Sequence, residues 1–234
     1  MNTKLKQEKY NIFHNNYQSN LIGLLSFELK SLCGRFLFNF KPKPKEYSKN
    51  LLHLGCGKTY LQGWVNADFF QFRLRLLIDK NTNWHDWMLD LRFPLNCDDN
   101  VWDGVFTEHT LEHLYPNQGI QLIQELYRTM KPGAWLRVTV PDLRKYVNHY
   151  CGQEVNEQFN RWETGCEAMR TLTQDYFHLS LWDSELLEKC LNKSGFINIR
   201  EVSFMKGSDI SLLKDREERA WETLYMEAQK PIDN

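Results

Sequence analysis

A chain of 234 residues, 25% charged and 42% apolar, is that of a globular protein with room for one sizeable core and an extension, and too short for two ordinary domains. Its six cysteines (Cys33, Cys56, Cys97, Cys151, Cys166, Cys190) include no Cys-x-x-Cys pair, which excludes a zinc knuckle and argues against a secreted disulfide framework. The formal net charge is −1, yet residues 1–50 carry nine Lys or Arg against three Asp or Glu, so a basic arm precedes an acidic body.

Residues 1–49 read as that arm and a linker. Met1 to Asn11 is polar and lacks the apolar core of a signal peptide, so a reduced, cytoplasmic compartment is expected. Leu21 to Phe40 is apolar, but Glu28, Lys30 and Arg35 interrupt it and would be costly in hydrocarbon. Leu21, Leu24, Leu25, Leu29, Leu32 and Phe36 fall at helical spacing, which predicts an amphipathic helix packing over the core or a subunit partner. A basic, aromatic-rich contact with a membrane surface is the other reading. Lys41-Pro42-Lys43-Pro44-Lys45 then predicts an extended linker, because proline fixes its own φ and restricts the residue before it.

Residues 50–234 alternate short apolar runs with helical patterns, which predicts an α/β fold with a mostly parallel sheet covered on both faces. Strands are expected at Leu51–Leu54, Trp64–Ala67, Trp87–Leu89, Trp102–Phe106, Trp135–Val140, Ile197–Val202 and Trp221–Ala228, the last as an antiparallel edge. Helices are expected near Asn117–Thr129, Leu143–Tyr150, Glu154–Leu172 and Ser184–Lys193. Only six residues separate Gly57 from Trp64, too few for a crossover helix. Either the first helix shrinks to a single turn or Arg73–Ile78 supplies the second strand. The first is preferred, because it leaves Asp68 at a strand end.

Ligands of such a sheet bind beyond the carboxyl ends of the strands, where the chain order reverses. Five strand ends carry suitable residues: Gly55-Cys56-Gly57, Asp68, Asp90, the run from Thr107 to His113, and Pro141-Asp142. Glycines after an apolar strand let backbone N–H groups approach a ligand closely, and a carboxylate ending the second strand can accept from two ribose hydroxyls.

This series, with Leu111-Glu112-His113-Leu114 after the fourth strand and Lys131-Pro132-Gly133 before the fifth, resembles the class I S-adenosylmethionine-dependent methyltransferases, in particular the type 11-like ones. The resemblance runs from about Leu51 to Pro231. It implies a Rossmann-like, doubly wound seven-stranded sheet and S-adenosyl-L-methionine as cofactor. It assigns cofactor contacts to Gly55, Cys56, Gly57 and Asp68, adenine selection to Asp90 and Leu91, and lining roles to Thr107, Glu108 and His109. His53 and Thr59 depart from the pattern, which there has an acidic residue and a third glycine.

Methyl transfer from a sulfonium needs alignment, exclusion of water and, for a hydroxyl acceptor, removal of a proton. Histidine suits the last task, and His113 and His178 are the candidates placed for it. The expected reaction is O-methylation of a small-molecule or carbohydrate hydroxyl, by analogy with cell-surface polysaccharide or secondary-metabolite pathways. The alternative is a non-catalytic cofactor-binding scaffold recruited through the arm. His109-x-x-Glu112-His113 also matches the H-x-x-E-H pattern of inverted zinc peptidases, but that motif lies within a long helix, whereas this one directly follows a strand and precedes Pro116, so no metal ligand is assigned. The acidic body and the lack of an Asn-Pro-Pro-Tyr-type motif argue against nucleic acid as substrate.

Overall fold

The structure, a computed structural model, describes residues 21–45, 49–71 and 85–232. Seven strands, β1 (Leu51–Leu54), β2 (Val65–Asp68), β3 (Trp87–Met88), β4 (Trp102–Glu108), β5 (Met130–Pro141), β6 (Ile197–Val202) and β7 (Thr223–Gln229), form one sheet in the order β3-β2-β1-β4-β5-β7-β6. β1 to β5 pair in parallel, and β7 runs antiparallel to both β5 and β6. This is the doubly wound, mostly parallel sheet with an antiparallel final strand that the alternation predicts, but the final strand is not the edge: β7 is inserted between β5 and β6, and β6, whose side chains are largely exposed, forms the edge.

One row of side chains shows why the strands are near-continuous apolar runs. Val65, Leu52, Val105, Leu136 and Ala228 are successive partners across five strands, and each is at most 1% exposed. A sheet covered on both faces leaves no solvent side for alternation to serve. Among the covering helices, α2 (Pro116–Thr129) contributes Leu122, Ile123 and Leu126, and α5 (Ser184–Lys193) contributes Leu187 and Leu191. A second cluster, Tyr146, Phe159, Ala168 and Leu172, joins α3 (Leu143–Tyr150) to the chain after it.

β1 and β2 are neighbours although no helix connects them. Buried Asn66 makes this short crossover hold. Its Oδ1 accepts from Leu61 N–H at 2.8 Å while its Nδ2 donates to the carbonyls of Leu61 and Trp64. The loop's polar groups are therefore satisfied by a side chain where a helix would have satisfied them internally. The preferred placement of the second strand is the one observed, and Arg73–Ile78 lies outside the described residues.

Three further expectations are corrected. The turn at Lys131–Gly133 is an irregularity inside β5, which starts at Met130. Gly133 takes φ +81° and donates its N–H to Lys230 O, so the strand bends without ending. The single helix expected over Glu154–Leu172 is broken into a 3₁₀ turn (Glu157–Arg161), α4 (Gly165–Arg170) and a π turn (Thr171–Asp175). Thr164 and Glu167 form a capping box, Thr164 Oγ1 accepting from Glu167 N–H and Glu167 Oε2 from Thr164 N–H, so a fresh helix starts in the middle of the span.

The third concerns the arm. α1 (Leu21–Leu37) is a helix, but its apolar stripe faces solvent, with Leu25 67% and Phe36 85% exposed. The face it docks is Phe27, Ser31 and Gly34. Phe27 stacks on Phe69 at 4.5 Å, Ser31 is fully buried, and a Cβ on Gly34 would sit 2.2 Å from the Phe70 ring. Polar anchoring and close approach decide the docked face here, not apolar area. Among the described residues no helix is long and apolar enough to cross a membrane.

The chain after β6 is tied to the sheet by a buried ion pair. Arg137 of β5 donates through Nε and Nη2 to the two oxygens of Asp215 at 2.6 and 2.5 Å, and through Nη1 to Lys206 O at 2.8 Å. Removing one charge strands the other away from water, a loss typically of 3–5 kcal/mol, whereas replacing both by apolar groups is often neutral. Asp215→Ala should therefore lower the unfolding free energy in urea by about 3–5 kcal/mol, and Arg137→Met/Asp215→Leu should recover most of it.

Candidate functional site

The strand order reverses between β1 and β4, and the loops leaving those two strands meet there. Gly55 takes φ +69°, and a Cβ on it would lie 2.1 Å from Thr110 Oγ1, so only glycine fits. Gly57 takes φ +55°, but its Cβ would meet nothing within 4 Å, so this glycine serves conformation and borders open space. Asp68 at the end of β2 fixes the loop: its Oδ2 accepts from Gly57 N–H at 2.6 Å and its Oδ1 from Phe69 N–H at 2.6 Å. Cys56 packs behind, and burial pushes its thiol up to about 12, so it is no nucleophile. His53 is buried in β1 against Asn66 Oδ1, and burial holds its imidazole down to about 4, so it is a neutral part of the scaffold.

Two cavities open on this loop. A cleft of about 350 Å³ is lined by Gly55, Gly57, Asp68, Asp90, Leu91, His109 and His113, with Phe27, Phe69 and Arg92. A cavity of about 310 Å³ shares Gly55, Gly57, His109 and His113, and adds Cys56, Glu108, Glu112, Tyr176, His178, Arg216 and Arg219. The residues expected from sequence thus come together around two compartments with a common wall.

One expected residue does not join them. Thr107 is fully buried and lines neither cavity, because β4 continues through Glu108 and holds Thr107 inside the sheet. Two others arrive with their groups engaged. Glu108 lines only the second cavity, where its carboxylate accepts from the N–H and Nε of Arg216. Asp90 accepts from Ser31 Oγ at 2.5 Å and from the N–H and guanidinium of Arg92, which also pairs with Glu28. Burial would raise the Asp90 carboxyl, but those donors hold it below the usual carboxylate range. The adenine-selecting carboxylate expected at this position is therefore occupied by α1 and Arg92, and the stacked pair Phe27 and Phe69 also lines the cleft.

The histidines are held in defined states. His109 occupies φ +51°, a strained conformation for a side chain with a Cβ. Thr223 Oγ1 donates to Arg219 O, so His109 Nε2 donates to Thr223 Oγ1 at 2.8 Å, and Nδ1 faces Glu112 Oε1 at 3.2 Å. His178 donates from Nδ1 to Leu172 O at 2.6 Å, leaving Nε2 with its lone pair, and burial keeps the ring below its ordinary pKa. The exposed ring of His113 lies edge-on to it at 5.0 Å. Asp142, by contrast, caps α3 by accepting from Arg144 N–H at 2.9 Å.

Sequence reasoning missed Phe27, Ser31, Arg92, Tyr176, Arg216 and Arg219. Ser31 and Asp90 are 59 residues apart and no spacing signal connects them. Arg216 and Arg219 stand in a charged loop before β7 whose position over the second cavity only the sheet order reveals.

No family model matches the sequence, and no curated protein matches it. Among solved structures the chain is similar to a SAM-dependent methyltransferase from Archaeoglobus fulgidus, at 17% identity over 87% of this chain and 94% of that one, with a TM-score of 0.47. It is likewise similar to one from Methanosarcina mazei, at 16% identity over 81% and 95% with a TM-score of 0.47. A third is phosphoethanolamine N-methyltransferase 2 of Haemonchus contortus in complex with S-adenosyl-L-methionine, at 16% identity over 94% of this chain and 55% of that one, with a TM-score of 0.44. Residue roles do not transfer at such identities.

The two loop glycines separate by experiment. Gly57→Ala should cost the roughly 1–2 kcal/mol of a left-handed residue bearing a Cβ. Gly55→Ala adds a collision with Thr110 and should lower thermal stability well beyond that; equal losses would show that the two loops do not touch as described.

Proposed function

We propose that the chain is an S-adenosyl-L-methionine-dependent methyltransferase acting on the hydroxyl of a small molecule or carbohydrate. The observation that carries this reading is the pair of cavities sharing the Gly55, Gly57, His109 and His113 wall, one beside a strand-end carboxylate and the other beside imidazoles. A cofactor in the first would present its methyl group to an acceptor in the second. The bound cofactor supplies an electrophilic methyl on a sulfonium, which leaves as a neutral thioether.

The cleft fits such a ligand. Asp68 has used one lone pair on each oxygen for the loop's N–H groups and keeps others for two ribose hydroxyls. The Gly57 backbone borders open space, where a ligand can approach it, and the mutually stacked Phe27 and Phe69 line the cleft with apolar surface. In the second cavity His178, a neutral imidazole with its Nε2 lone pair unengaged, is positioned to take the proton of a hydroxyl, with His113 beside it. An acceptor hydroxyl must lose its proton in the reaction, which gives these proton acceptors a task.

The exposed stripe of α1, on an arm with an excess of positive charge, supports a contact outside the site, and a membrane surface suits both features. Leu25→Asp/Phe36→Asp should abolish sedimentation with anionic vesicles while thermal stability stays unchanged, since neither side chain is buried. A protein that never sediments would remove this contact.

Asp68→Ala should weaken cofactor binding, measured by titration calorimetry, by about 1.5–3 kcal/mol for each ribose hydrogen bond lost. An unchanged affinity in a folded variant would sink the placement of the cofactor. His178→Ala should leave that affinity nearly constant and depress turnover by about 10²–10⁴-fold. If both His178→Ala and His113→Ala turn over near the wild-type rate, neither imidazole takes the proton, and if no acceptor class is methylated by a protein that binds the cofactor, the chain is a binding scaffold.

A further inference from the structure

The loop after β4 and the segment after the π turn bring three potential ligands of a metal ion to one place. A carboxylate oxygen of Glu112 and one ring nitrogen each of His113 and His178 all lie within 4.8 Å of one another. We propose that these residues form a binding site for a divalent transition-metal ion, of which zinc is the representative, at the wall of the second cavity.

Glu112 is the first reason. The residue is 1% exposed, yet neither carboxylate oxygen receives a hydrogen bond among the described residues, and its close partner is His109 Nδ1 at 3.2 Å. A buried carboxylate left this bare is costly unless a cation completes it. The His109 ring approaches Oε1 only, and no donor reaches Oε2 among the described residues.

His178 is the second. A metal-bound histidine donates its other ring N–H to a carbonyl or carboxylate, which fixes the ring and strengthens its lone pair. His178 Nδ1 donates to Leu172 O at 2.6 Å, so the nitrogen left to ligate is fixed before any ion arrives. Two imidazoles and one carboxylate are a donor set for zinc or ferrous iron and a poor one for magnesium or calcium, which favour oxygen. Metal–nitrogen and metal–oxygen bonds near about 2.1 Å place tetrahedral ligand atoms roughly 3.4 Å apart. The cluster must therefore contract by up to about 1.4 Å, for which the exposed His113 ring is the part with room to move.

Three protein ligands leave a fourth position open, and all three line the second cavity. Its role there rests on the methyl-transfer reading, and a bound ion would do the work given above to His178, whose ligating lone pair could no longer take a proton: an acceptor hydroxyl on the open position would become more acidic and lose its proton to solvent, and the O–CH₃ bond would form as the S–CH₃ bond breaks to leave the thioether. The binding itself does not depend on that reading. His109, one turn before, stays with Thr223 and Glu112 as the partner that orients the carboxylate.

The test uses the full chain, stripped with a chelator and reloaded with zinc chloride. Exposed Cys151 and Cys166 are alternative zinc ligands, so the background is Cys151→Ser/Cys166→Ser. After gel filtration, elemental analysis should give about one zinc per chain. The cobalt-substituted protein should show tetrahedral d–d bands without a thiolate charge-transfer band. His178→Ala and Glu112→Gln should weaken zinc, measured by chelator competition, by more than the roughly 10–100-fold that an outer-shell partner costs. Glu112 is buried and its variant can fail to fold, so His113→Ala, at an exposed ring, gives the same measurement without that problem.

Less than stoichiometric zinc on folded protein, or stoichiometric zinc retained by all three variants, overturns the site. Calorimetry with S-adenosyl-L-methionine on the zinc-free protein keeps the two readings apart. Cofactor binding without zinc binding overturns the metal site alone; zinc binding without cofactor binding supports it and removes the methyl-transfer reading instead.

Discussion

Between β1 and β4 the chain leaves the sheet in opposite directions, and the loops from these two strands must pass each other with almost no room. Gly55 against Thr110 is that contact, and much of the site follows from it. Because Gly55 has no side chain, the loop after β1 can lie flat on the loop after β4. Because the loop lies flat, Gly57 reaches Asp68, and the same backbone becomes the shared wall of two cavities. A side chain at Gly55 would push the loops apart and merge or close the compartments. The parallel sheet supplies the frame for this, since its strands are locked by a buried row of apolar side chains that tolerates no slip of register.

Electrostatics around the site are arranged by pairing, not by net charge. Glu108 faces Arg216, Glu222 faces Arg219, and Asp90 faces Arg92, each carboxylate buried and each arginine partly in water. Glu112 departs from this pattern, with an imidazole in place of a guanidinium and no hydrogen bond to either oxygen among the described residues. Buried charge without a full complement of donors is unstable in isolation, and sites are where proteins keep it. The same logic explains α1. It is held on the body by Ser31 and Glu28 acting on Asp90 and Arg92, a polar clamp that leaves its leucines outside. An arm anchored this way covers one end of the first cleft and presents an apolar surface at the same time.

The periodicity of the chain was enough for the sheet and most of the helices, because both faces of a parallel sheet are buried and its strands must be apolar along their length. Leu51–Leu54, Leu143–Tyr150 and Ser184–Lys193 fall where the pattern places them, and so does Ile197–Val202, although it is an antiparallel edge strand with mostly exposed side chains. The broken span after Glu154 was not legible, since a capping box at Thr164 and Glu167 competes with continuation of the helix by a few hydrogen bonds only. The orientation of α1 was not legible either. Its apolar stripe predicts burial of the leucines, and what decides its docking is one serine, one glycine and an ion pair that carry no periodic signal.

The sequence by itself determined the strand ends that gather at the switch point, and with them Gly55, Gly57, Asp68, His109, His113 and His178, because strand length, loop position and residue type are local properties of the chain. The tertiary structure alone decided which of those groups remain open to a ligand. Thr107 disappears into β4, Asp90 is taken by Ser31 and Arg92, Glu108 by Arg216, while Glu112 and His178 converge from segments 66 residues apart. Hydrogen-bond saturation depends on partners distant in sequence, and no local pattern encodes it.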